Sequence, residues 1–581
     1  MKKEKPTTIT SVKIGGQAGQ GIKSMGLMLA KHAVRSGYCI YDQIEYPSLI
    51  RGGHNVMQVS FSSEEVLAPQ KLTDLLIALN QETIDLHGST LKKTGAIIFN
   101  SDNTADTSKV DKNILLCGIP LSSIAKEAGG DELFINIGAV GAAIALLGGN
   151  LATLQELIKE EFKDKTEEII ASNLHAAENG YEHITKSYKN AVNNLLKPIE
   201  TVNSFIPRMV ISGNEAVALG AISAGMQFAS IYPMSPVSNI MHVLAANQDK
   251  YSYVFKQAED ELSAINMAIG ASFAGARSLT STSGGGFCLM TEGYGLAGIT
   301  ETPVVVIEGM RGGPATGLPT WSEQGDLQFV LHAHQGDFPR IVLAAGDAKE
   351  AFELTMEAFN LADKYQTPIV LLIDKNICEN DQSYQMFEVV TYKVDRGKFI
   401  DEPSEDYKRY KFEKDGISLR SVPGAGNFFL ANSDEHDEYG YSTEEIEMRN
   451  KMHEKRMQKL VTCEKEDMAE PEIFGPEEAD ITIVSWGSNK GSILQAIKNY
   501  KNVNYLHVTW MNPFPTEAVK KVLSSAKHVI DVECNYTAQF ANLIREKTGI
   551  EITDKLLKYD GRQIFPEEVE EKIKKALKGD K

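Results

Sequence analysis

The spacing of apolar residues along this chain changes several times, and each change marks an element. Thr8 to Ile14 alternates as a half-buried strand does, ending in Gly15-Gly-Gln-Ala-Gly-Gln-Gly21. Ile22, Met25, Leu29 and Ala33 then recur at helical spacing. A strand, a glycine loop and a helix in that order aim backbone N–H groups and a positive helix end at an anion. Gly16, Gly19 and Gly21 are the candidate anion-binding positions, but Gly16 and Ala18 stand where the dinucleotide fingerprint has its first glycine pair. The apolar runs at 75–79 and 96–99 are expected to be buried strands of a parallel α/β sheet. Small apolar residues at 136–148 predict a packing helix. An amphipathic run at 189–196 closes the region at Lys197-Pro198.

The pattern restarts at Met209-Val-Ile-Ser-Gly-Asn-Glu-Ala216, a short strand with Asn214 as the expected cap of a helix reaching Gly225. Another apolar strand leads into Ile231-Tyr-Pro-Met-Ser-Pro-Val-Ser238, where Pro233 and Pro236 brace a turn carrying Tyr232, Ser235 and Ser238. Gln257-Ala-Glu-Asp-Glu261 begins a helix, expected from Ala258, whose apolar face is Leu262, Ile265, Ile269 and Phe273. Glu259 and Glu261 border that face on opposite sides, so helical geometry leaves both acids open. Thr280-Ser-Thr-Ser-Gly-Gly-Gly-Phe287 is expected as a loop after a strand, with Ser283 and Gly284 at its centre. Pro303-Val-Val-Val-Ile307 predicts a buried strand that runs into Arg311-Gly-Gly-Pro-Ala-Thr-Gly-Leu-Pro-Thr320. Loops at the carboxyl ends of parallel strands are where α/β sheets bind ligands, and the planar fork of Arg311 suits a carboxylate. From 381 to about 470 the chain is charged and weakly periodic, apart from a helical stretch over 443–460. A third α/β region opens at Ile481-Thr-Ile-Val-Ser-Trp-Gly487, with further strands expected at 503–508 and 528–532.

Composition narrows the partners. At 581 residues the chain has room for three or four domains of ~150 residues. A net charge of -19 argues against nucleic acid or an anionic membrane surface. The start, Met1-Lys-Lys-Glu-Lys-Pro6, lacks a signal-peptide pattern and no run is apolar enough to span a membrane, so a cytoplasmic location is expected. Cys39, Cys117, Cys288, Cys378, Cys463 and Cys534 are widely scattered, so no cluster or zinc clamp of this chain's own is expected. His332-Ala-His334 and Glu435-His-Asp-Glu438 lack complementary ligands, and no metal site is assigned to them. Arg51, within Glu45-Tyr-Pro-Ser-Leu-Ile-Arg-Gly-Gly-His54, reads equally as a phosphate or carboxylate grip and as a surface turn residue.

Taken in order, Tyr-Pro-Met-Ser-Pro, Glu-Asp-Glu, Thr-Ser-Gly-Gly-Gly-Phe and Arg-Gly-Gly-Pro-Ala-Thr-Gly-Leu-Pro-Thr resemble the 2-oxoacid:ferredoxin oxidoreductases. The likeness is to an α subunit with a γ-type domain fused at its N-terminus. It implies an α/β chain with a γ-type domain at 1–198, a linker at 199–206 and a pyrimidine-binding-type domain at 207–380. An extension and connecting helix at 381–474 and a transketolase-C-terminal-like domain at 475–581 would follow. The resemblance implies thiamine diphosphate shared with a β subunit that also holds Mg2+ and a [4Fe-4S] cluster. Coenzyme A would be co-substrate, ferredoxin the electron acceptor and α2β2 the assembly. It places the acid that touches the thiamine ring nine residues before the helix glycine Gly270, at Glu261, with Glu259 in reserve. Arg311, Ser235 and Tyr232 fall to the 2-oxoacid, Ser235 standing where the family commonly has threonine. Ser283 and Gly284 fall to the thiamine pocket, and Gly16, Gly19, Gly21 and Arg51 to coenzyme A. The implied reaction is oxidative decarboxylation of a 2-oxoacid to an acyl-CoA, with 2-oxoglutarate expected ahead of pyruvate, branched-chain or aryl 2-oxoacids. A nicotinamide dehydrogenase built on the glycine loop and a non-catalytic scaffold subunit are the competing readings.

Overall fold

A computed structural model describes residues 9–49, 52–130, 134–199, 207–389 and 392–579. The chain forms two compact units, one of residues 1–211 with 380–387 and 565–567, the other of 212–379, 388–564 and 568–581.

The first unit is built on an eight-stranded sheet. Its strands run in the order Leu115–Ile119, Leu91–Asn100, Thr73–Ala78, Thr10–Gln17, His54–Ser62, Cys39–Glu45, Asp381–Gln385 and Arg208–Ser212. The first four are parallel, as the apolar runs predict. The sheet as a whole is mixed, because Cys39–Glu45 and His54–Ser62 form an antiparallel hairpin beside them. Arg51 belongs to the connection of that hairpin and lies outside the described residues. Strand Thr10–Gln17 is buried on both faces rather than alternating, and it lies inside the sheet with a neighbour on each edge. Helices Phe134–Leu146 and Glu167–Ser187 pack backbone against backbone. A Cβ on Gly141 would sit 2.1 Å from the Ala177 carbonyl oxygen, and one on Gly180 would sit 2.0 Å from that of Gly138. The amphipathic run at 189–196 forms only a 3-10 turn, Lys189–Ala191. Two strands enter this sheet from later sequence. Arg208–Ser212 looked like the opening of the next domain, and Asp381–Gln385 like the start of an irregular extension; each instead continues the row of edge hydrogen bonds beyond Cys39–Glu45.

The second unit holds a seven-stranded sheet ordered Trp510–Asn512, Ile341–Ala344, Pro368–Asp374, Val304–Met310, Ser278–Thr282, Phe228–Ile231 and Val254–Gln257. All neighbours are parallel except Trp510–Asn512. A five-stranded sheet follows, with Val503–His507, Ile481–Ser485, Val529–Glu533 and Asp554–Leu557 parallel and Glu472–Phe474 antiparallel at one edge. One apolar cluster runs through both sheets, from Val306 and Leu372 to Trp486, Phe514 and Phe540. The charged stretch after 388 and helix Ile446–Glu466 are both fastened by buried ions. Glu301, with no exposed surface, receives Lys455 and Lys459 at 2.6 Å each, and Arg420 meets Asp363 at 2.9 Å. No helix among the described residues is long and apolar enough to cross a membrane.

Candidate active site

The carboxyl ends of three adjacent parallel strands in the second unit bring most of the expected residues together. Strand Phe228–Ile231 ends in the proline-braced turn, which passes into helix Ser238–Tyr251. Helix Gly213–Ser223 holds this turn from behind. Its cap is Ser212, in a reciprocal capping box with Glu215, and not Asn214 as expected. Asn214 is one residue inside the helix and fully buried, and its side-chain amide donates to the Pro236 carbonyl at 2.8 Å. The Arg311 guanidinium reaches the same turn from the next loop, donating to the Ser235 carbonyl at 2.7 Å. Ser235 and Arg311, 76 residues apart, are thus joined, with Tyr232 half-buried on the same turn.

Glu261 arrives on helix Glu261–Phe273, which starts three residues later than expected because Asp260 caps it, accepting from the Ser263 N–H at 2.7 Å. The two acids left open by periodicity therefore have different settings. Glu259 precedes the helix in an exposed bend, whereas Glu261 is the first helical residue and 4% exposed. The buried face is Glu261, Ala264, Ile265, Ala268, Ile269 and Ser272, while Leu262, assigned to the apolar face, is 42% exposed. Small residues line that face because the neighbouring helix, Gly284–Ile299, approaches closely; a Cβ on Gly293 would sit 2.9 Å from Ile265.

The segment expected as a hydroxyl-rich loop is not a loop. Ser278–Thr282 is strand, Ser283 is the helix cap, and the three glycines form the first turn of Gly284–Ile299. Glycine is required here by proximity. A Cβ on Gly286 would sit 2.6 Å from Glu261 Oε1 and 2.1 Å from Thr282 Oγ1, and one on Gly284 would sit 2.4 Å from Asp326 Oδ2. The helix start is thereby pressed between two carboxylates, where free N–H groups and the positive end of the dipole favour them. The Ser283 hydroxyl is buried without a hydrogen-bond partner, and no hydrogen bond or ion pair satisfies the Glu261 carboxylate among the described residues. Unmet polar groups of this kind mark a place for a polar ligand.

Sequence patterning missed two acids. Glu308 stands opposite Thr282 in the sheet register and is fully buried, with neither carboxyl oxygen receiving a hydrogen bond from a donor. Burial, then the neighbouring Asp326 carboxyl, pushes Glu308 well above the ordinary carboxyl range, and burial raises Asp326 as well. Burial also lowers Arg311, against the pull of Asp326 and Glu308. The signal was an acid near the carboxyl end of an otherwise apolar parallel strand, a position that burial forbids to a glutamate without a purpose.

Gly16, Gly19 and Gly21 are in the first unit and are described there by themselves. Gly16 is inside strand Thr10–Gln17 and faces the Gln20 side chain, which accepts from the Gln17 N–H at 2.7 Å. Gly19 has φ +93 and open space beyond it, and Gly21, at φ +68, precedes helix Ile22–Arg35 with no side-chain cap.

Comparison with known proteins covers nearly the whole chain. Residues 219–455 match the family described as pyruvate flavodoxin/ferredoxin oxidoreductase, thiamine diphosphate-binding. Residues 11–183 match pyruvate ferredoxin/flavodoxin oxidoreductase, and 479–569 match pyruvate:ferredoxin oxidoreductase core domain II. The 2-oxoacid:ferredoxin oxidoreductase subunit alpha of Sulfolobus sp is 34% identical across 97% of this chain and 96% of its own. The 2-oxoglutarate oxidoreductase subunit KorA of Mycobacterium tuberculosis is 27% identical across 98% and 91%. Among solved structures, 2-oxoglutarate:ferredoxin oxidoreductase from Magnetococcus marinus, with 2-oxoglutarate, coenzyme A and succinyl-CoA bound, superposes with a TM-score of 0.91. It is 30% identical and the match covers 99% of this chain and all of that one.

Proposed function

This chain belongs to the α subunits of the 2-oxoacid:ferredoxin oxidoreductases, multi-subunit enzymes; from that premise we propose that Glu261, Ser235 and Arg311 form its half of a thiamine diphosphate site acting on 2-oxoglutarate. The reading rests above all on the Glu261 carboxylate, buried against a glycine helix start and left without a hydrogen-bond or ion-pair partner among the described residues. An aminopyrimidine ring asks for such an acid, and the orphaned Ser283 hydroxyl beside it is a second polar group to meet the ring. The residues present fit the cofactor.

Thiamine diphosphate, when bound, supplies the electron sink for decarboxylation. Glu261 holds a proton at its carboxylate for exchange with a ring nitrogen, as a positioned acid–base group. Glu259, exposed and outside the helix, is the reserve for this role. Arg311 spends one N–H on the Ser235 carbonyl, which fixes the guanidinium plane, and keeps its remaining terminal N–H donors for the 2-oxoacid carboxylate. The Ser235 hydroxyl and Tyr232 border the substrate's keto end, and Gly284, closed against Asp326, belongs with Ser283 to the wall of the thiamine pocket.

The diphosphate, Mg2+ and a [4Fe-4S] cluster fall to a β subunit, with ferredoxin as electron acceptor and α2β2 as the assembly. Coenzyme A is the acyl acceptor, supported by the Magnetococcus marinus enzyme with that ligand bound. Gly19 and Gly21, with Gly16 and Arg51, are this chain's candidates for its phosphates. The division into domains at 1–198, 207–380 and 475–581 is part of the same proposal; the family matches over 11–183 and 479–569 support its first and last members, while the match over 219–455 runs past the end of the middle one. The test is a panel of 2-oxoacids offered to the chain co-purified with its β partner, with ferredoxin or a viologen dye as acceptor. 2-Oxoglutarate is expected to give the highest kcat/KM. A preference for pyruvate would overturn the substrate assignment, and no oxidation of any 2-oxoacid would overturn the site.

A further inference from the structure

Behind Arg311 lies a second constellation that the roles above leave unused. Glu308 is on strand Val304–Met310, three residues before Arg311, and has no exposed surface. Neither of its carboxyl oxygens receives a hydrogen bond from a donor, and the buried Nε of Arg311 is likewise unpartnered. The carboxyl of Asp326, packed against Gly284 at the start of the glycine helix, meets Glu308. Two carboxyls in contact, one of them cut off from solvent and the other half-buried, resist ionising together; one proton stays between them. We propose that Glu308 and Asp326 hold one shared proton behind Arg311, and that this proton keeps the guanidinium charge available to the 2-oxoacid carboxylate.

The charge count gives the reason. With the proton in place, the pair carries one negative charge against the one positive charge of Arg311, and an incoming carboxylate meets a neutral cluster. Without it, two negative charges face the guanidinium and the substrate is repelled. Other groups around the pair are accounted for. Cys288, on the glycine helix, and Cys378, on helix Lys375–Glu379, are both raised by burial and stay uncharged near neutrality. Glu323, in the loop after Arg311, is raised by burial and, more weakly, by the neighbouring Asp326 carboxyl. Burial raises Glu308 first, so the shared proton is held above the ordinary carboxyl range and leaves as the pH rises. Glu308 and Asp326 are positioning residues, since they act through Arg311.

The inference rests on Arg311 holding the substrate carboxylate, so the experiment separates the two. In the complex of the full chain with its β partner, KM for 2-oxoglutarate is followed against pH. Wild type should show an alkaline rise of about tenfold per pH unit once the single proton is lost. E308Q keeps an N–H donor toward Asp326 and has no proton to lose, so its KM profile should be flat over the same range. A flat wild-type profile, or an E308Q profile that keeps the rise, overturns the proposal. Infrared spectroscopy of the full chain without cofactor gives a second readout. The protonated-carboxyl C=O band at neutral pH should weaken in E308Q, and an unchanged band overturns the shared proton. If wild-type complex oxidised no 2-oxoacid, the site reading would fail while the infrared result still decided the acid pair.

Discussion

A single residue separates Glu259 from Glu261, and that step takes a carboxylate from solvent into a wall of glycine. Periodicity left them equal because it assumed both were helical. The cap at Asp260 breaks the tie, since a residue before the cap has no helical face at all. Substituting Glu261→Gln in the assembled enzyme should lower kcat by ~10²–10⁴-fold, the usual span for a positioned acid–base group. Size-exclusion profiles should be unchanged, and full turnover would remove Glu261 from the chemistry. Arg311→Lys is the complementary probe. A lysine keeps the charge but cannot both reach the Ser235 carbonyl and present a planar fork, so KM for the 2-oxoacid should rise by about tenfold or more. An unchanged KM would show that another group takes the carboxylate.

Elements were legible where apolar runs are long and buried. The strands at Val304–Met310 and Ile481–Ser485 and the packing helix Phe134–Leu146 fall where the pattern places them. Element starts were not, because caps and glycine turns have no periodicity. Ser212 takes the cap expected at Asn214 since only its position allows the reciprocal bonds with Glu215, and Asn214 is freed to hold the turn at Pro236. The expected loop at 280–287 is a strand meeting a helix with only the cap Ser283 between them, and its glycines serve close approach instead of flexibility. Gly286→Ala tests that directly. The added methyl would collide with Glu261 Oε1 and Thr282 Oγ1, and because Thr282 is fixed in the sheet, Glu261 has to move. Overpacking of this kind costs about 1–3 kcal/mol. Chemical denaturation should report that loss, and activity should fall further than stability explains; an active G286A enzyme would show that the contact is slack.

At the scale of the molecule, strand pairing joined pieces that the sequence presents as separate. Nothing in the composition of 381–385 or 208–212 says that either completes a sheet begun at Thr10. Long-range pairing is decided by which edge is left open, and that is not a local property. The candidate site was readable because its residues cluster at strand ends in one sheet, and Glu308 was missed because inside an apolar run it looked like strand.

The two late strands have a consequence for how this polypeptide could be divided. A protease cut in 200–206 would separate the first unit's N-terminal segment from a fragment that still carries Arg208–Ser212 and Asp381–Gln385. The fragments would stay together by strand complementation, like a pilin subunit lent its missing strand. A nicked sample should elute as one species on size exclusion and separate only in denaturant. Residues 9–199 expressed alone would instead carry an unsheltered edge at Cys39–Glu45 and tend to self-associate.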